Sequence, residues 1–127
     1  MILALLALAQ GAAAPDCANA MTQADMNTCA AMDYEHADAA LNRLWGKLIA
    51  GARADDRSPD SGRTETDERS EEAILRTAQR AWVQFRDSQC EFEGLSERGG
   101  TMEPMIVSMC KTRVTEERIK QLEPDEK

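Results

Sequence analysis

The sequence predicts an all-α fold, a disulfide-stapled helical bundle of two long antiparallel helices plus one or two short C-terminal helices. Apolar residues recur at alternating three- and four-residue spacing from Met26 to Ile49 and again from Leu75 to Phe92, the periodicity of one helix face. No stretch survives as a strand candidate. The chain has 127 residues and four cysteines, which suits a single domain whose modest core is helped by covalent staples.

Ile2 to Ala9 is an uninterrupted Ile/Leu/Ala run, followed by Gln10, Gly11 and the small residues Ala12 to Ala14. This reads as the apolar region and cleavage zone of a signal peptide over 1–14, although the usual basic start is missing. The run is too short to cross a bilayer. Cys17 follows Ala14, Pro15 and Asp16, without the small residue that a lipid-attachment cysteine requires. The expectation is a soluble periplasmic or secreted domain at 15–123, with no stable membrane insertion once the signal is removed.

The first helix starts at Thr22, whose hydroxyl suits a cap, with Asp25 in the first turn where the helix dipole favours negative charge. Its stripe runs through Met26, Ala37, Leu41, Leu44, Trp45, Leu48 and Ile49, and Gly51 suits its end. Residues 53–67 carry no apolar side chain larger than alanine and read as an exposed connector, because nothing in them offsets the entropy of ordering. Glu65, Asp67, Glu68, Glu71 and Glu72 then mark the first turns of the second helix, which runs to about Glu93.

On that helix Leu75, Ala78, Trp82, Phe85, Gln89 and Phe92 line one side, which is expected to supply much of the core. Gly94 to Gly100 is a loop, with Gly99-Gly100 allowing positive φ. Thr101 suits the cap of a third helix carrying Met102, Met105, Ile106 and Met109, with Pro104 tolerated in its first turn. Thr115, followed by two acids and flanked by Val114 and Ile119, reads as a fresh start after a break, giving a short last helix to about Leu122. Residues 124–127 should fray.

The net charge of −8 argues against binding a phosphate backbone and suits cationic partners or simple solubility. Cys17 precedes Cys29 by enough residues to fold back beside it, and a short loop separates Cys90 from Cys110. Local pairing, Cys17 with Cys29 and Cys90 with Cys110, is therefore the preferred connectivity, each closure contributing roughly 3 kcal/mol. Zinc is disfavoured because His36 is the only histidine. Met102, Met105 and Met109 share a stripe that suits either packing against Trp82 and Phe85 or, in a different class of function, Cu(I) binding. No cofactor or catalytic residue is expected, since neither a nucleophile–base pair nor a phosphate loop is present. Arg86-Asp87 is expected to pair with an acid on a neighbouring helix and set the packing, with contact to a ligand as the sharper alternative.

With these residues assembled, the chain resembles the LprI-type lysozyme-inhibitor N-terminal domain family. The likeness runs through Cys17, Thr22-Gln23, Met26-Asn27, Cys29, Tyr34, Ala37-Asp38 and Leu41-Asn42. It continues through Ala78-Gln79-Arg80-Ala81-Trp82, Phe85-Arg86-Asp87, Cys90, Gly99-Gly100-Thr101, Cys110, Thr115 and Arg118. Trp45 stands where the pattern often has tyrosine and Val114 where leucine is common, both keeping an apolar side chain.

The resemblance implies an α-helical, disulfide-stapled envelope protein and, for some members, inhibition of lysozyme. It marks Trp82, Phe85, Arg86, Asp87 and Arg118 as the structural motif. The resulting expectation is a non-enzymatic binding module for a cationic protein such as lysozyme. Asp55, Asp56, Asp60, Glu65 and Asp67 are its candidate contacts, since acids on exposed segments speed encounter with a basic surface. An accessory role in an envelope complex is a further alternative.

Overall fold

A computed structural model of the chain describes residues 13–62 and 69–124. Most of the proposed signal, together with Glu65, Asp67, Glu68 and the last three residues of the tail, lies outside them. Among the described residues there are three α-helices, α1 (Gln23–Arg57), α2 (Glu71–Gly94) and α3 (Glu103–Leu122), with short 3-10 turns at Cys17–Asn19 and Leu95–Glu97. Side-chain pairings give their directions. Glu72 near the start of α2 meets Arg53 near the end of α1, and Arg86 further along α2 meets Asp38, so α1 and α2 are antiparallel. Arg118 on α3 reaches Gln79 on α2, while Gln23 on α1 reaches Met105 on α3; α3 therefore runs antiparallel to α2 and parallel to α1.

Thr22 caps α1 as the sequence indicates, its Oγ1 accepting from the Asp25 amide. Gly51 does not end that helix. Ile49 and Ala52 remain buried on either side of it, and Arg53 and Asp56 bind the start of α2, so tertiary contacts outweigh the cost of roughly 1 kcal/mol for a helical glycine. Residues 53–57 are helix rather than connector. The second helix begins only at Glu71, after a Ser70 cap.

α3 is also continuous where a break is expected. Thr115 is fully buried within it and Val114 is buried beside it, so burial of this pair, not capping, explains the residues at that position. Thr101 does not cap α3: Met102 is the capping position, and the Thr101 carbonyl accepts from Asn27 of α1. Pro104 does lie in the first turn, and Gly99 takes the left-handed φ of 75° in the preceding turn.

The core is built mostly of small side chains, with Leu41 and Ile49 the large ones. Ala30, Ala37, Leu41, Ile49 and Ala52 from α1 are buried, as are Cys90 of α2 and Cys110 and Val114 of α3, with Trp82 and Val107 packed around the cysteines. Small residues let helix axes approach closely, and Gly94 shows how closely. A Cβ there would come within 2.6 Å of Val107 Cγ2. The expected aromatic stripe of α2 is corrected accordingly: Phe85 and Phe92 are 56% and 68% exposed. The Cys90–Cys110 disulfide turns Cys90 toward α3, and Arg86, one turn earlier, comes inward with it. The phenylalanines are left on the outer side.

Candidate functional site

Where the three helices meet, a cluster of cations and rings replaces an ordinary apolar layer. Arg86, 8% exposed, donates through Nε to Asp87 Oδ1 at 2.9 Å and lies 3.6 Å through its Nη1 from Asp38 Oδ1 on α1. Its guanidinium carbon is 5.4 Å from the Tyr34 ring centroid and 5.1 Å from that of Trp82, within cation–π range. Lys111 on α3 lies over the same tyrosine at 5.4 Å and 4.0 Å from Asp87. Arg118, over Trp82 at 5.8 Å, donates to Gln79 and Gln121.

Burial raises the Tyr34 phenol above its ordinary value, a tendency that Arg86 opposes, so Tyr34 is neutral at physiological pH. Desolvation lowers the pKa of Arg118, which nevertheless stays charged near neutrality. With its acids and rings already engaged, Arg86 acts as a clamp between helices. Four of the five residues of the structural motif, Trp82, Arg86, Asp87 and Arg118, thus converge, while Phe85 does not.

On the other flank of α1, a cleft opens between α1 and α3. Ala30, Asp33, His36, Ala37 and Ala40 form one wall, and Met109, Thr112, Arg113, Glu116 and Ile119 the other. Asp33 and Glu116 are exposed and line both of its adjoining hollows, the larger about 400 Å³. The cleft's cation, Arg113, binds Glu93 at 2.8 Å and lies 3.8 Å from Glu117. Hydrogen bonds from Gln89 and Arg113 hold the Glu93 carboxyl below its usual range. Asp33 and Glu116 face the opening without such an ion pair among the described residues, which leaves their charge available to a cation from outside.

The acids expected to meet a partner are dispersed. Asp55 and Asp60 are exposed near the far end of α1, whereas Asp56 accepts from the Glu71 and Glu72 amides and so caps α2 from another helix. Nothing in the local sequence distinguishes Asp33 and Glu116, because they become neighbours only through the parallel docking of α1 and α3.

The cysteines pair as Cys17–Cys29 and Cys90–Cys110. Met102 and Met109 are 38% and 56% exposed, and Met105 Sδ accepts from Gln23 Nε2, so the stripe is not a packing layer against Phe85. Nothing in that arrangement supports the copper alternative. Among the described residues there is no group of histidines, cysteines and carboxylates suited to hold a metal ion, and no helix long and apolar enough to cross a membrane.

Comparison with known proteins adds a family. A protein of Rhizobium meliloti (strain 1021), itself uncharacterised, is 42% identical over 108 residues, covering 85% of this chain and 76% of that protein. No solved structure matches. The family model described as "Lysozyme inhibitor LprI" matches residues 14–122, nearly the whole helical region, and the chain belongs to the LprI family.

Proposed function

We propose that this chain is a non-enzymatic envelope module that binds and inhibits a cationic glycan hydrolase of the lysozyme type. Membership of the LprI family across residues 14–122 carries the reading. The acidic cleft gives it a physical form. Asp33 and Glu116 stand on two parallel helices, so a basic side chain entering between them meets two carboxylates whose separation is set by the helix packing. The net charge of −8 adds long-range attraction toward a basic protein.

Asp55 and Asp60 serve this encounter at a distance, and Asp56 works mainly as a helix cap. The two disulfides suit an oxidising compartment, in keeping with a periplasmic or secreted location. A turbidity assay of lysozyme on bacterial cell walls tests the proposal. The oxidised protein at micromolar excess in low salt should slow clearing; clearing at the uninhibited rate would refute it.

A further inference from the structure

Histidine is the side chain whose charge ordinarily changes between about pH 5 and 8, and His36 is the chain's single one. The fold sets it in the acidic cleft. Asp33, His36, Ala37 and Ala40 follow one another at steps of one to three residues along one face of α1, and with Thr112, Glu116 and Ile119 of α3 they enclose the larger hollow, about 400 Å³. Asp33 stands about one helical turn before His36, a spacing at which side chains interact.

His36 is exposed and makes no hydrogen bond or ion pair among the described residues, so no internal partner fixes its protonation. Of the charged groups around it, Asp33 on α1 and Glu116 on α3 share its hollow. Arg113 lines the adjoining hollow and is already bound to Glu93. Glu35, beside His36 in sequence, and Lys120, one turn beyond Glu116, line neither hollow, and α2 contributes no residue to either.

We propose that His36 makes the cleft's capture of a cation pH-dependent, which rests on the reading that a basic side chain enters between Asp33 and Glu116. With the imidazole neutral, the hollow holds two carboxylates and no cation of its own. Protonation adds a positive charge among them. That charge offsets one of the two negative ones and repels an incoming ammonium or guanidinium, so affinity falls as pH drops through the histidine range. In water at low ionic strength, one unit charge roughly 6 Å from another changes affinity about threefold.

Calorimetric titration of lysozyme into the oxidised full chain at low ionic strength, at about pH 8 and at about pH 5.5, reads the effect. His36→Gln is the reference for any pH dependence that lysozyme itself brings, since both proteins meet the same partner. The native chain should lose about threefold more affinity on acidification than His36→Gln does. His36→Lys, whose charge is fixed, should bind about threefold more weakly than the native chain at the higher pH, with equal helicity by circular dichroism. Equal losses by the native chain and His36→Gln, or His36→Lys matching the native chain at the higher pH, would overturn the proposal and leave the cleft as a binding site. No binding by the native chain at the higher pH would instead defeat the reading of the cleft, and this proposal with it.

Discussion

Arg86 of α2 lies 5.4 Å from the ring of Tyr34 on α1, so the buried cation of one helix is held by the aromatic face of another. Asp38 and Asp87 complete the contact from partly exposed positions. Replacing Arg86 removes packing, two ring contacts and the charge balance of both acids, although the acids retain solvent. Arg86→Ala should cost about 2 kcal/mol, and Arg86→Lys about 1 kcal/mol because a point charge cannot reproduce the planar group. Urea denaturation of oxidised protein measures both.

Tyr34 is the chain's single tyrosine, so its ionisation is read directly by ultraviolet absorbance. Burial raises its pKa from 10.0, with Arg86 opposing. The folded state holds the phenol proton more tightly than the unfolded chain. This contribution to stability is fully present below 10.0 and is lost as pH rises through the raised folded value. The phenolate signal should appear above pH 10.0 in folded protein and return to the ordinary range in denaturant.

Thr115 is fully buried in α3, and its hydroxyl has no hydrogen-bond partner among the described residues. An unpaired buried hydroxyl costs more than a methyl group of the same shape. Thr115→Val should stabilise the fold by about 1 kcal/mol, whereas Thr115→Ser, which keeps the hydroxyl and deletes a methyl, should destabilise it by a similar amount. Thermal unfolding distinguishes the two directions.

The two disulfides differ in access. Cys17 is exposed, whereas Cys90 and Cys110 are 0% and 3% exposed. Limited reductant followed by alkylation and mass mapping should label Cys17 and Cys29 well before Cys90 and Cys110. Replacing both cysteines of the buried pair by alanine should cost about 3 kcal/mol.

Helix periodicity made the class of fold legible, and the Thr22 cap and the cysteine spacings were local enough to read as well. The rotation of α2 was not. Phe85 and Phe92 suggest a buried stripe by hydrophobicity alone, but the disulfide and the Arg86 clamp turn a neighbouring line of residues inward. Gly51 and Thr115 mislead for a related reason, since glycine ends helices and threonine starts them only where tertiary contacts do not decide otherwise. Asp33 and Glu116 are separated by most of the chain, so their shared cleft has no local signal.

The most direct measurement is calorimetric titration of lysozyme into the oxidised protein at low ionic strength, beside the Asp33→Asn/Glu116→Gln variant. Binding by the native chain is expected, weakened at least tenfold in the variant with helicity unchanged, and weakened for the native chain by added salt. No binding by the native chain, or equal binding by both proteins, would contradict the proposed function.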